Sequence, residues 1–253
     1  MPSALITGAS AGLGAEYARQ LAARGADLVL VARDKVALGA LATELADLHG
    51  VQVDVIVADL LDDAQRSLVE KRLTDTTAPI DVLVNNAGFG LPLAFEHNDI
   101  DDEVRHLALH VEVPMRLIHA ALGPMLERGS GRILNVASVA GFIPRSTYGA
   151  CKGWLIAFSR WAHSEYAGRG VSVTAVCPGF THTTFHERMG LAPGKEGVAP
   201  WMWLDAPDVV AESLRDAARG KAVSIPSFRY RALVELTRLV PARVAARVGQ
   251  QGR

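Results

Sequence analysis

The chain has 253 residues, 49% hydrophobic and 21% charged, with a formal net charge of −1. That length allows a large core within a single domain, and that charge balance gives no overall basic field to attract nucleic acid or an anionic membrane, so small-molecule chemistry is the default expectation. Cys151 and Cys177 form neither a CxxC pair nor a cluster with histidine, which argues against a metal centre or a disulfide framework and fits a reducing compartment.

The opening MPSALITGAS has no basic region and no long apolar run, so the expectation is a cytoplasmic protein without a leader. Residues 3–7 read as a first strand. Gly8, Ala9, Ser10, Ala11, Gly12, Leu13 and Gly14 follow, then a helical pattern through Arg24. Such a turn needs glycine where the backbone bends sharply and approaches a pyrophosphate, and the N–H groups that open the helix then bind phosphate. The second strand, Leu28 to Val31, runs into Ala32, Arg33 and Asp34. An acid at this strand end would bond the ribose 2′-OH of NAD, whereas an Arg accommodates the 2′-phosphate of NADP. Ala32 stands where the acid is expected and Arg33 follows it; the alternative is a surface Arg in a loop. Asp34 is placed to cap the next helix, to about His49.

Val53 to Ala58 reads as a buried third strand, with Asp59 and Leu60 after it and Asp62 or Asp63 opening a helix to about Leu73. A fourth apolar run, Ile80 to Val84, closes in Asn85, Asn86, Ala87 and Gly88, where side-chain amides can fix backbone turns. A long helix is expected over roughly Asp99 to Leu126, interrupted at Pro114 and Gly123, before a strand from Arg132 to Ala137.

The next stretch, SVAGFIPRSTYGACK, carries Ser138, Tyr148 and Lys152. Positions four apart share a helix face, so Tyr148 and Lys152 point into one space. A phenol near an ammonium has its pKa drawn down towards values useful in acid or base catalysis; the alternative is a packed Tyr and a solvated Lys. The same helix carries Trp154, Phe158, Trp161 and Tyr166 as core or subunit interface. A sixth strand, Val171 to Val176, leads into Pro178, Gly179, Phe180, Thr181, His182 and Thr183. Residues 184–206 lose periodicity and carry Phe185, Met189, Trp201 and Trp203, which reads as an apolar lid over a substrate. A helix near Pro207 to Arg219, a strand near Ala222 to Ile225 and an amphipathic helix over 228–248 complete one domain spanning 1–253. That last helix has five Arg against one Glu, read as a solvated face, with membrane association as the alternative.

TGASAGLG at Thr7 to Gly14, NNAG at Asn85 to Gly88, Ser138, YGACK at Tyr148 to Lys152 and PGFTHT at Pro178 to Thr183 together closely resemble the short-chain dehydrogenase/reductase family, over about residues 3–183. The resemblance implies a doubly wound α/β Rossmann fold, a parallel seven-stranded sheet with helices on both faces. It implies a catalytic set of Ser138, Tyr148 and Lys152, in which Lys152 binds the nicotinamide ribose and lowers the Tyr148 pKa. It also implies a cofactor site of Gly8, Ser10, Gly12, Leu13, Gly14, Arg33, Asp59, Leu60, Asn86, Ala87, Gly88, Tyr148, Lys152, Pro178, Gly179 and Thr183. Homodimers or homotetramers are usual in the family. Two departures stand out. His110 aligns with the family's catalytic Asn, and Ser138 and Tyr148 are closer in sequence than in most relatives, so the 141–147 connection is short. The expected function is reversible reduction of a ketone or aldehyde with NADP(H), NAD(H) being the alternative cofactor, on a bulky apolar substrate. The competing reading is a dinucleotide-binding sensor with little turnover, for which only His110 argues.

Overall fold

The structure is a computed structural model and describes residues 2–92, 95–143, 145–183 and 198–239. Strands and helices alternate: β1 (Ser3–Thr7), α1 (Gly12–Ala22), β2 (Asp27–Ala32), α2 (Lys35–His49), β3 (Val53–Val57), α3 (Asp63–Leu73) and β4 (Val82–Asn85). Then come α4 (Ile100–Leu107), a π-helical turn at Ala108–Glu112, α5 (Val113–Arg128), β5 (Gly131–Val136), α6 (Thr147–Tyr166), β6 (Val171–Val176), α7 (Ala206–Ala218), β7 (Val223–Ser224) and α8 (Phe228–Leu239). All seven strands pair in parallel in the order β3-β2-β1-β4-β5-β6-β7. The order reverses between β1 and β4, and the crevice at the carboxyl ends of those strands is where such sheets bind ligands.

Both faces of the sheet are buried, as a parallel sheet requires. On β1, Ala4 and Ile6 pack beneath α1, α2 and α7, while Leu5 packs beneath α3 and α5. The helix starts follow the side chains expected of them. Asp34 caps α2 by accepting from the Ala37 N–H at 3.0 Å, and Asp62 caps α3 by accepting from the Gln65 N–H at 2.9 Å.

Two expectations are corrected. The third strand is not buried: β3 ends the sheet with β2 as its neighbour, and Val55 and Val57 stay 37% and 42% exposed. The long helix does not break at Pro114 or Gly123. Proline has no N–H to return to the carbonyl four residues back, and the chain absorbs this one residue earlier, where the Val113 N–H reaches Ala108 through the π turn. The helix then continues past Gly123, and past Pro124 inside it, to Arg128.

Candidate functional site

The glycine turn sits at the carboxyl end of β1. Gly8 and Gly12 have φ of 66° and 55°, in the left-handed region. A Cβ on Gly14 would strike the Gly8 carbonyl, so the turn closes this tightly only with glycine there. Helix α1 starts at Gly12 with neither a side-chain cap nor an acid in its first turn. Its N–H groups therefore face the crevice without a competing carboxylate, which suits a pyrophosphate. Ser10 and Leu13 lie half-buried in this turn.

Thr7 and Asn86 fasten the turn to β4. The Thr7 hydroxyl accepts from the Asn86 and Ala87 N–H groups at 3.0 and 3.1 Å, and the Asn86 amide donates to the Thr7 and Gly8 carbonyls at 3.0 and 3.3 Å. Asn86 thus shapes the crevice floor through its side chain, the structural use expected of these asparagines. At the ends of β2 and β3, Arg33 and Asp59 approach to 3.8 Å, and the Arg33 side chain is 73% exposed. Its guanidinium is thus exposed to solvent beside Asp59, within reach of an anion in the crevice. Leu60 has its side chain buried in the core beneath α3.

The catalytic candidates converge on the other side of the reversal point. Ser138 follows β5 and caps a short 3-10 turn, Val139–Phe142, by accepting from the Ala140 N–H at 3.1 Å. Ser146 caps α6 by accepting from the Gly149 N–H at 3.1 Å, which sets Tyr148 in the first turn. The Ser138 hydroxyl bonds the Tyr148 phenol; burial nevertheless pushes that phenol up to about 12. Lys152 is buried one turn on, donates to the Val136 carbonyl at 2.7 Å and lies 5.6 Å from the centroid of the Tyr148 ring. Burial draws its pKa down to about 8. For the phenol, desolvation outweighs the hydrogen bond to Ser138. One N–H of the ammonium is used on Val136.

His110 lies in the π turn and is buried. Its Nε2 is 2.7 Å from the Phe89 carbonyl and 3.3 Å from the Phe89 N–H; the shorter contact selects the tautomer that donates from Nε2. Gly88 makes the approach possible, since a Cβ there would come within 2.5 Å of His110 Cε1. Burial first, and Lys152 second, hold the imidazole well below its ordinary pKa, hence neutral at pH 7. His106, one turn earlier and also buried, packs on His110 with ring centroids 4.4 Å apart. Phe89 meets His106 edge-on at 5.5 Å, and the Tyr148 ring lies 5.6 Å from His110 and 6.0 Å from His106. Phe89, His106 and His110 thus form a cluster of three rings beside the phenol. His106 and Thr7 escaped the sequence reading; the HxxxH spacing of 106 and 110 was the signal for the first.

The family profile described as short chain dehydrogenase matches residues 2–192. The chain belongs to the short-chain dehydrogenase family. It is 33% identical over 229 residues to a 3-oxoacyl-[acyl-carrier-protein] reductase from Synechocystis, covering 87% of this chain and 90% of that one. Among solved structures, a short-chain dehydrogenase from Sphingobium yanoikuyae in complex with NADPH superposes with a TM-score of 0.86 at 37% identity, covering 94% of each chain. The bulky-bulky ketone specific alcohol dehydrogenase from Comamonas testosteroni gives 0.80 at 35%, covering 94% of this chain and 92% of that one. This short-chain dehydrogenase is therefore an NAD(P)-dependent oxidoreductase acting on CH–OH groups and their carbonyl counterparts.

Of the lid residues expected, Phe185 and Met189 lie outside the described residues, Trp201 is 62% exposed, and Trp203 stacks on His182 at 4.7 Å. Phe142 packs against the core cluster of Ala137, Leu155 and Cys177. Phe89 packs on His106 and His110, the two rings that meet Tyr148. The basic helix is described only as far as Leu239. Among the described residues, no helix is long and apolar enough to cross a membrane and no cluster suits a metal ion.

Proposed function

We propose that this enzyme is an NADPH-preferring reductase of bulky, apolar ketones or aldehydes, reversible towards the secondary alcohol. The observation that carries the reading is the meeting of Ser138 and Tyr148 over a buried Lys152, with exposed Arg33 at the far end of the same crevice. When bound, the nicotinamide supplies a hydride to the carbonyl carbon. Ser138 holds the substrate oxygen by hydrogen bond, and Tyr148 donates its proton to that oxygen. The phenol, its pKa raised by burial, is protonated at neutral pH and suited to donate a proton to the carbonyl oxygen. Lys152, largely protonated below about pH 8, holds positive charge beneath the phenol and offsets negative charge on it as the proton leaves.

The preference for NADPH rests on Arg33 and on Ala32, which puts no carboxylate against a 2′-phosphate. The apolar substrate rests on Phe89 and the ring cluster beside Tyr148, and on the ketone specificity named for the Comamonas relative. A sensor without turnover is not favoured, since its one argument was His110 and that side chain is occupied in holding Phe89. A homodimer or homotetramer remains the expected assembly, supported by Trp161, 53% exposed on α6. Steady-state assay of aryl ketones, β-ketoesters and small charged carbonyls with NADPH and NADH tests the reading. Bulky ketones with NADPH should give the highest kcat/KM. Equal use of both cofactors, or activity confined to small charged carbonyls, would overturn it.

A further inference from the structure

Tyr230 in α8 is 2% exposed, although α8 is otherwise a largely solvated helix. Its ring packs on Gly179 so closely that a Cβ there would collide with it. Its hydroxyl accepts from the Phe180 N–H at 3.1 Å and donates to the Met202 carbonyl at 2.8 Å. One phenol thus joins the loop after β6 to the segment that leads into α7. The Leu204 N–H donates to the Phe180 carbonyl and the His182 N–H to the Leu204 carbonyl, both at 2.9 Å, and complete the clasp. Arg229, also in α8, donates to the Trp201 carbonyl at 2.6 Å.

The loop so held runs across the crevice. At one end the Pro178 carbonyl accepts from the Val139 N–H at 3.0 Å, directly after Ser138. At the other, Thr183 lies against the glycine turn, where a Cβ on Gly12 would meet the Thr183 Cβ at 3.3 Å. The loop therefore bounds the side of the crevice at β5 and β6 that contains Tyr148, away from Arg33 at β2. A hydride acceptor held at Tyr148 requires the nicotinamide on that side and the adenosine on the Arg33 side.

We propose that Tyr230 is a positioning residue for the nicotinamide half of the cofactor, acting from the C-terminal helix through the Phe180 N–H on the 178–183 loop. The inference rests on the dinucleotide-dependent reading above. Its mark is a split between two ligands. Tyr230→Phe keeps the ring on Gly179 and removes one neutral hydrogen-bond pair, so NADPH affinity should fall about three- to ten-fold. Affinity for adenosine 2′,5′-bisphosphate, which carries only the half that Arg33 meets, should stay within about two-fold. Gly179→Ala, which pushes the loop off the ring without touching the hydroxyl, should give the same split by a second route.

Binding is read by calorimetry at a temperature well below unfolding, on variants shown to be folded. A purely structural Tyr230 would lower the melting temperature without changing the ratio of the two affinities. Equal losses for both ligands, or no loss for either, would overturn the proposal. Wild-type protein that binds NADPH but reduces no carbonyl would sink the reductase reading alone, because the binding split is measured without turnover.

Discussion

The two halves of the crevice are built by opposite means. On the β1–β3 side the groups that face the crevice are backbone N–H groups of a glycine turn and an exposed arginine 3.8 Å from Asp59. On the β4–β6 side they are side chains, and those beneath them, Asn135, Lys152, Ser159, His106 and His110, are polar and buried. A backbone cradle costs the fold little and tolerates change at its rim. A packed set of buried polar groups strains stability in order to hold one geometry. Cofactor choice should therefore be adjustable at little cost to the fold, while chemistry and stability should change together.

The sharpest way to break this contrast is Tyr148→Phe, which removes the proton donor and almost no volume. Turnover should fall by about 10²–10⁴-fold while NADPH affinity changes little; near wild-type turnover in stopped-flow assay would mean that another group supplies the proton. Next comes Lys152→Met, expected to impair both turnover and cofactor binding while raising the melting temperature. The buried ammonium, depressed from 10.5 to about 8, opposes folding by about 3 kcal/mol at neutral pH. Between about pH 8 and 10.5 the unfolded chain binds the extra proton, so wild-type stability recovers as pH rises and the variant's advantage fades. An unchanged melting temperature at pH 7 would show that Lys152 is better solvated than its burial indicates.

On the other side, Arg33→Ala should weaken NADPH by about ten-fold and leave NADH and the melting temperature nearly unchanged, because a charge-assisted pair to phosphate is lost from an exposed site. A large drop in stability would erase the distinction between the halves. The smallest effects belong to His110. His110→Asn should keep activity within about three-fold, since an amide can still reach the Phe89 backbone, and His110→Ala should lose more. Because burial holds the His110 pKa below that of the unfolded chain, its contribution to stability is full above about pH 6.5 and is lost as pH falls below it. His110→Asn should accordingly melt higher than wild type at pH 5, relative to their difference at pH 7.5. Superimposable pH–stability curves would remove His110 from the acid response.

The β1–β3 half was the more legible in sequence, because glycine spacing, strand ends and capping aspartates are local signals that the fold obeys residue by residue. On the other side, the order and spacing of Ser138, Tyr148 and Lys152 pointed to one place, and there these side chains meet. What the sequence hid depends on distance in space. β3 reads as buried until its place at the sheet edge exposes it. Tyr230 lies fifty positions from the loop it holds. His110 was found by alignment with the family pattern, but its hydrogen bond to Phe89 needed Gly88 and the π turn, neither of which has a one-dimensional signature.

The buried chain of amides beneath the site also specifies how α6 sits on the sheet. Asn85 donates to Asn135 at 2.9 Å across the β4–β5 pair, and Asn135 donates to Ser159 on α6 at 2.9 Å. Ser159 lies seven residues beyond Lys152, on the helix face that carries Tyr148 and Lys152. If α6 docked with any other rotation, or β5 slipped by one residue, these amides would be stranded without partners, at about 1–3 kcal/mol for each group. The link thus sets an energetic penalty on any arrangement in which α6 turns its phenol and ammonium away from the crevice.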